Sequence, residues 1–373
     1  MHYKIADVVT EIKEKEDHPS ESKYERFVGL EHYVSGEIVI RNFGSTELLE
    51  SSMKTFRSGD ILVARRNVYL KRASVVFFDG LTSGDSIVLR AKNERIARLL
   101  PFVLNTDKFW DYADQFSDGT MSKRLSPKVL LEYEFDLPDE DEQDEFANLL
   151  WAAVNTKYAY QQLLNQTDEL VKSQFIEMFG DPIDNDRGWK YAKFPEVTTI
   201  VLGSTPKTSN PDYWDGDVKW ISPAEMSDES FYIYDTVKHI TEEGVKSAGL
   251  KPFPAGTVLF STRAPIGKTA IAGCEMYCNQ GFKNFICGPE LNPVYLFYLL
   301  RTKKDYFDSL GSGTTFRELS RKAIEQMSIS VPPMILQNQF EELYRQSDKS
   351  KFEIKQAINR IDDLIKSLML QEA

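Results

Sequence analysis

Cysteine and histidine are scarce in this chain. The three cysteines, Cys274, Cys278 and Cys287, fall in one short segment. That odd count has neither a fourth Cys nor a nearby His to complete a zinc site, so the three read as reduced thiols. Of the four histidines, His2, His18 and His32 lie near the N-terminus and His239 stands alone, so no Ser or Cys has an evident base for a hydrolytic triad. No run of about 18 or more uncharged apolar residues occurs, which provides no membrane-spanning helix. Met1 to Thr10 lacks the basic start and apolar centre of a signal peptide; a cytoplasmic location without a membrane partner is expected. Positive charge is short too: 45 Lys and Arg stand against 57 Asp and Glu, a net charge of −12. Binding of nucleic acid over the whole surface is thereby excluded, and any DNA contact must be local. Much of the negative charge sits in Asp136 to Glu145, beside a predicted helix start, where it could equally face a protein partner.

What the chain does have is apolar material and a repeat. At 373 residues with 42% hydrophobic and 12% aromatic content, it should fold into packed domains, and its length predicts two of them. A shift of 194 positions aligns Gly119–Phe175 with Gly313–Met369 without a gap, and 16 of the 57 pairs are identical, against roughly three expected from ordinary composition. The identities include Gly119-Thr120 with Gly313-Thr314, Leu125-Ser126 with Leu319-Ser320, Pro138 with Pro332, Gln143 with Gln337, Phe146 with Phe340 and Lys172-Ser173 with Lys366-Ser367. Upstream, about three more residues of shift pair Gly59-Asp60-Ile61-Leu62 with Gly256-Thr257-Val258-Leu259, Arg66 with Arg263, Lys71 with Lys268 and Ala73 with Ala270. The duplication covers domain and tail alike.

Each half reads as a mixed module followed by a long helix. Short β-branched or aromatic runs predict strands at Ile61–Val63, Ser74–Phe78 and Ser86–Leu89, and again at Thr257–Phe260, Thr269–Ala272 and Lys283–Cys287. Apolar helical stretches follow at Ile96–Phe109 and Pro293–Phe307. From Phe146 the spacing alternates threes and fours, through Leu149, Ala153, Thr156, Tyr160, Leu163, Thr167 and Leu170. The second copy gives Phe340, Leu343, Ser347, Ser350, Ile354, Ala357, Ile361, Leu364 and Leu368, the seam of a coiled coil. Pro138 and Pro332-Pro333 mark helix starts, and Gly180 with Pro182 ends the first helix. A helix of about 36 residues runs roughly 54 Å, and so thin an apolar face needs a partner; its own repeat is the obvious one. The expected fold is α+β: two duplicated domains, 1–137 and 181–332, joined by two long antiparallel coiled-coil helices, 138–180 and 333–373. From periodicity alone the same stripes could be core-facing helices of a bundle. An antiparallel pair would suit duplex DNA, whose half-sites fall about one helical turn, 34 to 36 Å, apart.

Catalytic signatures are incomplete. Gly267-Lys268-Thr269 ends like a phosphate-binding loop, but Thr262 stands where the leading Gly is required. Asn292-Pro293-Val294-Tyr295 has Val294 in place of the second Pro of an amino-methyltransferase motif. Pro211-Asp212 and Asp217-Val218-Lys219 are too close together to sit on adjacent strands around one Mg²⁺.

Several motifs resemble the specificity-subunit family of type I restriction-modification systems. Gly203-Ser204-Thr205-Pro206-Lys207-Thr208-Ser209-Asn210-Pro211-Asp212-Tyr213-Trp214-Asp215-Gly216, running on to Lys219-Trp220-Ile221-Ser222, looks like the opening of a target-recognition domain of that family. Thr262-Arg263-Ala264-Pro265-Ile266-Gly267-Lys268, Asn279-Gln280-Gly281, Gly313-Thr314, Val331-Pro332-Pro333 and Gln337 follow in the family's order. Phe179-Gly180-Asp181-Pro182 with Trp189 resembles its inter-domain junction. The first module matches less well, with Arg65-Arg66-Asn67 and Ser83-Gly84-Asp85 at the corresponding places. The resemblance implies a non-catalytic subunit whose two target-recognition domains each read one part of a bipartite double-stranded DNA target. It also implies partners: two modification (methyltransferase) subunits docked on the helices, and restriction (translocase-nuclease) subunits. No cofactor is expected in this chain; S-adenosylmethionine, ATP and Mg are expected on the partners.

Direct readout needs Arg, Lys, Asn or Gln at base edges, with others on phosphates. The candidates in the first module are Arg41, Asn42, Arg65, Arg66, Asn67, Lys71, Arg72, Lys123 and Arg124. In the second they are Thr205, Lys207, Thr208, Arg263, Lys268, Asn279, Gln280, Lys283 and Arg317, with Arg263 and Gln280 foremost. A solvated charged loop is the plain alternative for about half of the first set. Tyr213, Trp214 and Trp220 are expected to line a core, with support of a recognition loop as the alternative. Glu142-Gln143 and Gln337, at the helix starts, are expected where partner subunits could touch. Two competing readings are a coiled-coil protein-binding scaffold with no DNA role, favoured by the acidic charge, and the specificity subunit of a methylation-only complex.

Overall fold

The computed structural model describes residues 1–120, 122–263, 265–312 and 317–371; Ala264 and the Gly313-Thr314 pair of the sequence motifs lie outside them. The chain divides into two units, Met1–Leu163 with Ile354–Ala373, and Leu164–Glu353.

In the first unit, β1 (Val9–Ile12), β2 (Ile61–Ala64), β3 (Ala73–Val75) and β4 (Ser86–Ala91) form an antiparallel sheet in the order β1-β4-β2-β3. The run Ile61-Leu62-Val63-Ala64 is apolar at every position because both faces of β2 are covered. Ile61 and Val63 face a cluster with the helices, while Leu62 and Ala64 face one with Val28, Phe56 and Val76. The run expected to reach Phe78 leaves the sheet after Val75, and Phe77 is exposed. The expected helix 96–109 is two helices, Glu94–Val103 and Asp107–Phe116. Each has its own cap: Asn93 Oδ1 accepts from Ile96 N, and Thr106 Oγ1 from Phe109 N, which turns the chain between them.

The second unit repeats the plan. Strands β5 (Thr198–Leu202), β6 (Val258–Phe260), β7 (Thr269–Ala272) and β8 (Lys283–Cys287) are ordered β5-β8-β6-β7, with Tyr232–Ile233 added in parallel beside β7. In each unit a two-stranded ladder ties the start of the module to the strand that precedes a long helix: His2–Lys4 with Glu134–Asp136, and Lys190–Lys193 with Ser328–Val331.

The long helices are Glu140–Phe179 and Met334–Gln371. In the first unit Lys157 Nζ pairs with Asp362 at 2.8 Å, and Met369 joins the core that holds Ala147, Leu150 and Val154. In the second, Lys351 pairs with Asp168 at 2.8 Å, and Phe340 and Tyr344 join the core that holds Val171, Phe175 and Phe179. Within each unit the two helices therefore run antiparallel. Lys157 and Lys351 are equivalent in the duplication, as are Asp168 and Asp362, so one ion pair is made twice with the roles exchanged. The buried seam of the first helix passes through Gln143, Ala147, Leu150, Val154 and Lys157, while Leu149 and Leu170 are exposed. It lies one residue off the sequence-derived stripe because polar Gln143 and Lys157 occupy seam positions that a hydropathy count passes over.

Gln143 and Gln337 are wholly buried, which corrects their expected place on a partner-facing surface. Gln143 Nε2 donates to Pro138 O at 2.9 Å and Gln337 Nε2 to Pro332 O at 2.7 Å, pinning the carbonyl of the incoming segment to the first turn of each helix. No helix among the described residues is long and apolar enough to cross a membrane.

Candidate nucleic-acid interface

In the first module three segments meet beyond the end of β2. Arg65 N donates to Asp85 O at 2.8 Å, Leu125 N to Arg65 O at 2.9 Å and Asn67 N to Lys123 O at 3.0 Å, while Arg66 bridges Arg124 in antiparallel register. This backbone lattice brings Arg65, Arg66, Asn67, Lys123 and Arg124 onto one loop cluster, where the Asp85 carboxylate pairs with two of them. Asp85 holds Arg124 at 2.6 Å and faces Arg66 Nε at 3.5 Å. Arg65 Nε donates to Leu125 O; burial, with the nearby Arg124, lowers its pKa. Asn67 sits in the left-handed region at φ 55°, and its Oδ1 accepts from Ser122. Lys123 is tied to Asp114 at 2.6 Å.

Four candidates of this module lie elsewhere or point inward. Arg41 lays its guanidinium over the Tyr158 ring at 3.8 Å, and Asn42 is exposed beside it. Lys71 pairs with Asp107 at 2.5 Å. Arg72 is buried, donating to Leu30 O at 3.0 Å and Arg66 O at 2.9 Å, so it braces the loop from beneath.

The second module builds the same lattice with other side chains. Thr262 N donates to Gly281 O at 2.8 Å, Leu319 N to Thr262 O at 2.9 Å, and Arg263 bridges Glu318. Asp118–Arg124 and Ser312–Glu318 each exchange a further pair of backbone bonds. Glu318 receives Arg263 Nε at 3.0 Å and the buried Lys283 at 2.9 Å, and Lys283 also donates to Thr262 Oγ1. Burial would raise the Glu318 pKa, but the bonds from Lys283 and Arg263 outweigh it and hold the carboxyl below its usual range. Gln280 accepts from the Thr205 hydroxyl, Asn279 Oδ1 accepts from Gly281 N at 2.8 Å, and Ser204 N donates to Cys278 O. Thr205, Arg263, Asn279, Gln280 and Lys283 are thereby gathered on one loop cluster.

Lys207 and Thr208 are exposed on the loop that carries Thr205. Lys268 turns to Pro223 O at 3.1 Å. Arg317 is occupied by Asp308, through the carboxylate at 3.1 Å and the carbonyl at 2.6 Å. Trp220 is buried and its Nε1 donates to Ser204 O at 3.0 Å, with Trp214 edge-on at 5.3 Å; these rings support the loop.

The carboxylates are what residue choice by readout chemistry passed over. Asp85 closes the Ser83-Gly84-Asp85 segment, and Glu318 stands opposite Arg124 in the gap-free alignment, so the charge reversal at that pair is the signal that the sequence carries.

Residues 186–361 match the family model for the type I restriction modification DNA specificity domain. Among curated proteins, the specificity subunit of type I restriction enzyme MjaIX from Methanocaldococcus jannaschii is 38% identical over 149 residues, 39% of this chain and 34% of the relative. The matched part thus spans about a third of that relative's length. Two solved chains share the fold across nearly the whole length. One comes from a structure on complex assembly and conformational transition of the type I R-M system, with TM-score 0.59, 19% identity, and coverage of 100% of this chain and 97% of that one. The other is the type I restriction-modification S subunit from M. genitalium, with TM-score 0.58, 12% identity, and coverage of 99% and 94%.

Proposed function

We propose that this chain is a specificity subunit of the type I restriction-modification family and the sequence-reading component of such a complex, a reading supported by the family-model match over residues 186–361. Each module reads one half of a bipartite double-stranded DNA target, and the chain contributes recognition without catalysis. The observation that carries this reading is the loop lattice made twice, once per module, with basic and amide side chains concentrated on it in a protein of net charge −12. Local clustering of this kind is what phosphate and base-edge contact require when the rest of the surface repels DNA.

The domains of this reading are 1–137 and 181–332, with the helices 138–180 and 333–373 as spacer and docking element. Exposed apolar side chains on those helices, Leu149, Leu170, Ile176, Phe352 and Leu364, supply contact area for two methyltransferase subunits. Those subunits carry S-adenosylmethionine, and translocase-nuclease subunits carry ATP and Mg. The assembly works in the cytoplasm. Arg66, Asn67, Lys123 and Arg124, with Thr205, Arg263, Asn279 and Gln280, form the DNA-facing set.

The direct test is duplex binding against salt. Affinity of the full chain with its co-expressed methyltransferase subunits should fall by about tenfold or more between 50 and 200 mM salt. Salt-independent affinity, or none at low salt, would favour the protein-binding scaffold.

A further inference from the structure

The two loop lattices place their charges differently around an unchanged arginine. By hydrogen-bond pattern Arg65 corresponds to Thr262, Arg66 to Arg263, Asp85 to Gly281 and Arg124 to Glu318. In the first module the carboxylate comes from the turn before β4; in the second it comes from the segment facing the arginine across the bridge. Yet in both it stands nearest the same atom, Nε, as a hydrogen bond of 3.0 Å from Arg263 and as a looser ion pair of 3.5 Å with Arg66. The geometry recurs although no acidic residue is shared.

A guanidinium is a planar fork, and a carboxylate on the Nε edge fixes that plane. In Arg66 and Arg263 the two terminal nitrogens have no partner among the described residues, and both side chains are about half exposed. The neighbouring cations are spent otherwise: Arg65 on a carbonyl, Lys123 on Asp114, Arg317 twice on Asp308, and Arg124 through a terminal nitrogen on Asp85. A pair of parallel N–H groups held at the surface matches the O6 and N7 acceptors of guanine in the major groove.

We propose that Arg66 and Arg263 are equivalent guanine-reading side chains, one per module, and that Asp85 and Glu318 are the positioning residues that aim them. The assignment rests on the DNA reading above and adds to it a base and a division of labour. Each half of the target then contains a guanine, and the rest of each half differs because the residues around the arginine differ.

The test is selection of bound sequences from a duplex pool with random positions, using the full chain purified with its co-expressed methyltransferase subunits. The wild type should enrich two half-sites, each with a guanine. Glu318→Ala should cut the preference for guanine at one position of one half by roughly tenfold and leave the other half unchanged, and Asp85→Ala should do the converse. Glu318→Gln should retain most of the preference, since its amide oxygen still accepts from Nε. The unaltered half certifies folding in each variant. Should Glu318→Ala melt early, Arg263→Lys, which keeps a cation on Glu318 but loses the fork, carries the same prediction. A motif without guanine in either half, or a preference that survives Glu318→Ala and Arg263→Lys, overturns the assignment and leaves the DNA reading standing. No enriched motif in the wild type overturns the DNA reading and the assignment with it.

Discussion

Arg72 and Arg66 occupy one loop, but their surroundings give them different work. Arg66 keeps its terminal nitrogens at the surface, whereas Arg72 is 9% exposed, with its guanidinium on the carbonyls of Leu30 and Arg66. Burial lowers the Arg72 pKa, although its guanidinium remains charged. Removing it strands two inward-facing carbonyls, so Arg72→Ala should cost about 2–3 kcal/mol in chemical denaturation. Arg66→Ala, which removes a half-exposed side chain paired with Asp85 only at 3.5 Å, should change stability by no more than about 0.5 kcal/mol while weakening DNA recognition. Equal destabilisation by the two substitutions would contradict this division. Nothing in the sequence separates these arginines: both are basic residues of the loop between β2 and β3, and only the tertiary position of Leu30 decides which one turns inward.

At the scale of elements, Lys157 shows how the helix seam is specified. It is buried between Glu37 and Asp362, each at 2.8 Å, and holds a seam position where an apolar residue would serve for packing but not for register. Lys157→Ala leaves two carboxylates facing each other and should lower stability by about 2–4 kcal/mol, measured by thermal melting. Desolvation would lower the lysine pKa, but the hydrogen bonds it donates to Asp362 and Glu37 outweigh it and raise it above 10.5. A raised folded pKa gives stability that is complete below the unfolded value and is lost as pH rises through the folded one. The wild-type advantage over Lys157→Ala should therefore hold from pH 6 to 9 and shrink only above 10.5. An advantage that faded between pH 6 and 9 would refute the ion-pair account. Much at this scale was legible in the sequence: the gap-free repeat, the proline-marked helix starts and the apolar runs of β2, β6, β7 and β8. What was not legible had local polar causes. The caps Asn93 and Thr106 split a helix that hydropathy joins. The seam runs through Gln143 and Lys157, and β1 and β5 are short and partly exposed.

At the scale of the whole molecule, the same plan is made twice in one chain, with sheet order, entry ladder and loop lattice repeated. The gathered site residues follow from that plan: Arg66 and Arg263 could be paired from the alignment, but their carboxylates could not, because Asp85 and Glu318 are not equivalent positions. Two modules with different side chains on one lattice predict a target of two unlike halves. The most direct measurement is the map of methylated adenines in DNA from cells co-expressing the chain with its methyltransferase subunits, with and without Arg263→Ala. The account predicts methylation at one bipartite, asymmetric motif in the wild type, and loss or relaxation of one half alone in the variant. Methylation without a bipartite motif, or a motif whose two halves both survive Arg263→Ala unchanged, would contradict it.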